Sequence, residues 1–151
     1  MRFIIIFSIF FITKAYCDEL IKPAPSLLPE EVISIQLTAL KDNNNPYFNA
    51  GIEQTWEFAH PQNKMFTGPL SNFSNMMYSK YYSTMLNHKQ HQIIPVKNSN
   101  NMSYFFVKII DKYGIEYGFQ WTVQKVTDKG DFYNCWMTIG VSQPMKISNS
   151  A

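Results

Sequence analysis

The spacing of apolar residues changes period once along this chain, and that change limits the folds open to it. Up to about Met85, apolar side chains recur at the intervals of a helix face; from His91 they alternate, as on a half-buried strand. A sequence that reads helices first and strands afterwards keeps the two kinds of element apart. The expected class is therefore α+β, with N-terminal helices packed on one face of a curved antiparallel sheet.

The helical part divides at prolines and polar stops. A first helix is predicted from Pro29, since proline fits the first helical position and Glu30 and Glu31 favour the positive end of the dipole. Val32, Ile35 and Ala39, with Ile33, Leu37 and Leu40, give it a broad apolar face, and Asp42 to Pro46 stops it. A second short helix is expected over Gly51 to Ala59, ended by His60-Pro61 because a residue before proline is pushed away from helical angles. Gln62 to Gly68 reads as a loop. Pro69 then opens a third helix striped by Phe73, Met76, Met77, Tyr81 and Met85.

Strands are expected at Gln92 to Val96, Met102 to Asp111, Ile115 to Gln124 and Phe132 to Ser142. Turn signals lie between them at Tyr113-Gly114 and Asp128-Lys129-Gly130-Asp131. Tyr104 and Phe106 fall opposite Phe105, Val107 and Ile109, so the middle of the sheet is apolar on both faces. That surplus predicts a second layer, such as a homodimer packed through the outer sheet face.

Residues 1–17 read as a secretory signal peptide. Arg2 supplies the basic start, Phe3 to Ile12 the apolar run, and Ala15 and Cys17 a small-x-small cleavage site. The run is about half the ~20 residues of a spanning helix, so no stable membrane insertion is expected once the leader is removed. The remaining organisation is an extended tether at 18–28, a single α+β domain at 29–142 and a C-terminal tail at 143–151. The compartment is secreted or periplasmic. Cys135 is then the sole cysteine and is expected to be a small buried hydrophobe. The sequons at Asn72 and Asn101 are glycan acceptors if the host is eukaryotic.

Charge excludes one class of partner. The chain carries 13 Lys and Arg against 11 Asp and Glu. Losing Arg2 and Lys14 with the leader brings the two into balance, and nucleic-acid binders show a basic face instead. At 46% apolar and 16% aromatic, the 151 residues suffice for one well-filled core.

Four stretches resemble one family: Gln36-Leu37-Thr38-Ala39-Leu40, the run Phe58 to Met77 (FAHPQNKMFTGPLSNFSNMM), Trp121-Thr122-Val123-Gln124, and Trp136-Met137-Thr138-Ile139-Gly140-Val141. The family is the domain of unknown function 4864, and the order of elements is similar to the nuclear transport factor 2-like (SnoaL-like) cone. The resemblance spans about Pro29 to Val141. It implies a helix-on-sheet cone, a fold that serves isomerases, dehydratases, cyclases, transport adaptors and structural modules alike. Enzymes of that fold place an Asp, His or Tyr inside the cone, and no such residue here falls in a motif that can be carried over.

Candidate site residues follow from chemistry. His60 would lie near the mouth of such a cone, where a histidine can serve as general base; it also fits as a cap on the last carbonyls of a helix. Glu53 is the candidate carboxylate, with Gln120, Gln124 and Asn134 as polar lining, and Trp56 and Trp136 as aromatic walls of a ligand pocket. His88 and His91 have metal-like spacing without a third ligand, so solvated side chains are expected and no metal. The sequence contains no P-loop, nucleophile elbow or dinucleotide fingerprint, and no cofactor is expected. The function expected is a non-catalytic binding or interaction module with a small apolar ligand. The alternative is a cofactor-independent isomerase or dehydratase using His60 or Glu53, and a third reading is a dimeric scaffold.

Overall fold

The computed structural model describes residues 19–147. The expected leader at 1–17 lies outside these residues. Four helices precede a five-stranded antiparallel sheet: α1 (Pro29–Lys41), α2 (Ala50–Glu57), α3 (Pro61–Thr67) and α4 (Leu70–Met77), then a 3₁₀ turn at Ser83–Met85. The strands are β1 (Gln90–Asn98), β2 (Met102–Ile110), β3 (Glu116–Lys125), β4 (Trp136–Val141) and β5 (Met145–Lys146). They run as a β1-β2-β3-β4 meander, with β5 also pairing β3, and the sheet is open, not closed.

The α+β class follows from the amphipathic pattern. Helix α1 begins at Pro29, with the Leu28 N–H donating to Glu31 Oε2 at 2.7 Å. It buries Val32, Ile33, Leu37 and Leu40 against the sheet. From the strands, Phe105, Val107, Ile109, Phe119, Trp121 and Val123 complete the same core. Odd-numbered residues of β2 and β3 point inward, as the alternation predicts.

Helix α2 is locked onto α1 by two small features. Asn43 Oδ1 accepts the Ile52 N–H at 3.0 Å, taking one of the free donors of the first turn. Gly51 lets the helices touch, because a Cβ there would stand 2.2 Å from the Ala39 carbonyl oxygen. The expected tether is also fastened: the Ile21 N–H donates to Gln54 Oε1 and Gln54 Nε2 donates to the Ile21 carbonyl, both at 2.8 Å.

Four expectations need correction. Residues 62–67 are not a loop: α2 already stops at Glu57 with Phe58 as its C-cap, short of the expected Ala59, and His60-Pro61 instead starts α3, with His60 as N-cap and Pro61 at the first helical position. The third expected helix stops at Met77, and Met85 reaches the core from the separate 3₁₀ turn. The last long strand starts at Trp136, not Phe132, because Asn134 adopts φ 64° within a turn. The tail contributes β5, and the Ile147 N–H donates to the Glu116 carbonyl at 3.0 Å.

The link between α2 and α3 supplements the sheet. Thr138 donates its N–H to the Phe58 carbonyl and accepts the His60 N–H at its own carbonyl, each at 2.8 Å. This parallel bridge covers the outer edge of β4 and carries α3 over the end of the core. Register shifts at Pro95/Lys97 and Thr122/Val123 bend the neighbouring strands. Cys135 is buried with Val126, Met137 and Phe132 in a second small cluster, and burial pushes its thiol up.

Candidate functional site

Where α1, α2, α3, α4, the 3₁₀ turn and the inner face of β3 and β4 meet, they leave a cavity of about 160 Å³. One side is apolar: Leu40, Phe73, Met76, Met77, Met85, Trp121 and Val141. The other is polar and uncharged: Gln36, Thr55, Asn63, Thr67 and Thr138. Tyr82 closes the rim, its O–H donating to the Val141 carbonyl at 3.2 Å. Burial raises the pKa of that phenol, so it stays neutral.

The polar wall is a directed chain of hydrogen bonds. Trp121 Nε1 only donates, and it reaches Thr138 Oγ1 at 3.0 Å. That hydroxyl in turn donates a hydrogen bond to Gln36 Oε1 at 2.6 Å. The amide of Gln36 is thereby oriented, with Nε2 donating to the Thr55 carbonyl at 3.0 Å. Gln36 is 1% exposed, and its chain of partners links α1, α2, β3 and β4 through one side chain. Asn63 Nδ2 adds a bond to the Thr138 carbonyl at 3.3 Å.

The expected site residues do not share this cavity. His60 is 5% exposed and adjoins it in sequence through Ala59, without forming its wall. Its Nδ1 accepts the Gln62 N–H at 3.2 Å, so the neutral ring carries its proton on Nε2. That Nε2 is buried with no partner among the described residues. Burial lowers the His60 pKa, and the Asp128 charge partly opposes this. His60 thus caps the start of α3, at the opposite end from the carbonyl-capping role that its place after α2 suggested.

Glu53 accepts the Tyr47 O–H at 2.7 Å and borders a shallow groove with Phe48 and Leu70 on the helical surface. Trp56 stands one layer behind the cavity, 5.1 Å from the Phe73 ring, with Lys64 Nζ 5.1 Å from its own centroid. Trp136 packs at the core edge under Lys125 Nζ at 4.9 Å. Gln120 is exposed on the sheet face away from the helices, where Val96, Lys97, Tyr104, Phe106 and Thr122 line a groove with it. Gln124 points to that outer side too, and Asn134 is exposed in its turn. Asn72 is exposed on α4, and Asn101 is exposed in the β1–β2 connection.

His88 and His91 differ from expectation. His88 is 2% exposed, with Nδ1 2.7 Å from the Met85 carbonyl, so it is a core residue and not a solvated one. Among the described residues no group of three or more His, Cys, Asp or Glu side chains is placed to hold a metal.

The residues that do line the cavity left little trace in the sequence. Gln36 interrupts the apolar face of α1 between Ile33 and Leu37, and Thr138 lies between Met137 and Ile139. A lone polar residue on a buried helical stripe needs an internal partner, and that requirement is the signal that finds Gln36; Thr138 leaves none, because its strand neighbours Met137 and Ile139 point to the opposite face. Compared with models of known families, with curated proteins and with solved structures, the chain matches none of them.

Proposed function

We propose that this chain is a non-catalytic binding module that holds a small, neutral, mainly apolar molecule in the cavity between its helices and its sheet. The observation that carries this reading is the composition of the wall, which has aromatic, thioether and amide or hydroxyl groups and no ionisable acid or base near neutral pH. An ion entering such a space would lose its hydration without a counter-charge, whereas an apolar molecule gains by leaving water. The acid–base reading through His60 or Glu53 has less support, since neither side chain forms part of that wall.

The layout of helices on one face of a bent antiparallel sheet supports the nuclear transport factor 2-like reading and, with it, the kinship to the domain of unknown function 4864. Export through a cleaved leader is part of the same proposal. Among the described residues no helix is long and apolar enough to cross a membrane. The exposed ring of Tyr104, with Val96 and Phe106 in the groove beside it, supports a homodimer formed through the outer sheet face.

Native mass spectrometry of the protein purified from its own export route tests these points together. The expected spectrum shows cleavage after Cys17, a dimer, and an added small mass that is released on gentle activation. A protein that never carries such a mass and takes up no apolar compound on titration would overturn the binding reading.

A further inference from the structure

Resting on that binding reading, we propose that the cavity selects a single aromatic ring carrying one hydroxyl group, the phenol class, over aliphatic or ionised molecules of similar size. Volume sets the first limit. The space of about 160 Å³ is close to the ~150 Å³ of an engineered apolar cavity that holds benzene. One six-membered ring with a small substituent fills it.

The wall sets the second limit. Phe73, Tyr82 and Trp121 present rings, and Met76, Met77 and Met85 contribute sulfur-bearing side chains. Rings and thioethers interact favourably with an aromatic guest through quadrupole and sulfur–ring contacts that a saturated guest does not make. The methionines also adapt their shape to a flat guest at little cost.

The polar side sets the third limit. Gln36 Nε2 uses one hydrogen on the Thr55 carbonyl, and its second hydrogen has no partner among the described residues. Asn63 Nδ2 is directed to the Thr138 carbonyl, which leaves Asn63 Oδ1 as an acceptor without a partner among the described residues. The two amides flank Thr138, one bound to its hydroxyl and the other to its carbonyl. A donor and an acceptor on either side of one residue suit a group that both gives and takes a hydrogen bond, and a hydroxyl is the smallest such group. The absence of any charged residue from the wall excludes carboxylates and ammonium groups.

Calorimetric titration of the purified protein with phenol, toluene, cyclohexanol and benzoate is the test. Phenol is expected to bind at least tenfold more tightly than toluene or cyclohexanol, and benzoate not at all. If toluene or cyclohexanol equals phenol, the ring-plus-hydroxyl selection is overturned while the apolar binding reading survives. If none of the four binds, or benzoate matches phenol, both are overturned. Asn63→Leu, at a half-buried rim position, is expected to weaken phenol about tenfold and leave toluene unchanged. Unchanged phenol affinity in that variant would remove Asn63 from the proposal.

Discussion

His88 Nε2 lies 2.7 Å from Nδ1 of His91, and the other ring nitrogen of His88 lies 2.7 Å from the Met85 carbonyl. A carbonyl only accepts, so His88 Nδ1 carries the proton and its Nε2 is bare in the neutral ring. His91 Nδ1–H therefore donates to it. The neutral pair ties the 3₁₀ turn, which brings Met85 and Tyr82 to the cavity, to the first strand of the sheet. Burial, opposed by the Met85 hydrogen bond and helped by the His91 and Lys41 charges, holds the pKa of His88 down to about 4. His91 is lowered by burial and by Lys41.

The sign of the resulting pH dependence follows from linkage. A histidine whose folded pKa lies below its unfolded value binds protons better in the unfolded chain. The stability it contributes is complete above the unfolded value near 6.5 and is lost as pH falls toward about 4. The His88 shift alone corresponds to a loss on the order of 3 kcal/mol across that window. Urea unfolding at pH 7.5, 5.5 and 4 should show a falling midpoint, and His88→Phe should flatten the slope below pH 6.5. Equal slopes in the two proteins would discard this account.

Thr138 is the hinge of the polar wall, since its hydroxyl accepts from Trp121 and donates to Gln36. Thr138→Val keeps the shape but leaves a buried indole N–H and a buried amide oxygen without partners. The expected cost is about 2–3 kcal/mol, because a stranded buried polar group carries its full desolvation penalty. Thr138→Ser keeps the hydroxyl and should cost about 1 kcal/mol or less for the lost methyl. Denaturant unfolding of the two variants side by side checks the prediction; equal losses would mean that the hydroxyl contributes nothing.

The α+β class was legible because period three-to-four and period two are physical signatures of helix and strand, and both survive in a single sequence. The alternation along β2 and β3 is legible residue by residue, but not which face turns to the helices: Gln120 and Gln124, expected to line the pocket, lie on the outer face. The helix at Pro61–Thr67 was not legible, because its side chains bury nothing and so leave no apolar stripe. The cavity was hidden for a related reason. Its polar side is built by Gln36 and Thr138, which are 102 positions apart and meet only once the meander has folded back on α1. Glu53 and Gln120 looked like lining because polarity is visible in a sequence, whereas the side of the sheet that faces the helices is decided by the whole pattern.

Glycines give a sharper contrast. A Cβ on Gly51 would stand 2.2 Å from the Ala39 oxygen and 2.9 Å from Asn43 Cα, both rigid backbone. Gly51→Ala must therefore push α2 from α1, at an expected cost of about 1–3 kcal/mol. At Gly140 nothing lies within 4 Å of an added Cβ, so Gly140→Ala should stay within about 0.5 kcal/mol of the parent. Thermal unfolding of both variants decides it, and equal midpoints would show that the helix pair yields without cost.

Helix α3 is the part of the cavity wall most free to move. It buries no residue, and Met65 and Phe66 are 82% and 90% exposed. Its main-chain tie to the sheet lies at its start, at the His60–Thr138 bond, and Gly68 turns the chain at its end with φ 76°. Segments with few buried contacts open locally at low free-energy cost, so the α3 amides should exchange hydrogen well before those of α1 or β3. Asn63 and Thr67 line the cavity, so a bound molecule in contact with them should slow exchange in α3, while Phe66→Ser, far from the cavity wall, should change stability by no more than about 0.5 kcal/mol. Exchange measured by mass spectrometry with and without phenol reads both effects. Protection at α1 but not at α3 would place entry elsewhere on the wall, at the rim closed by Tyr82.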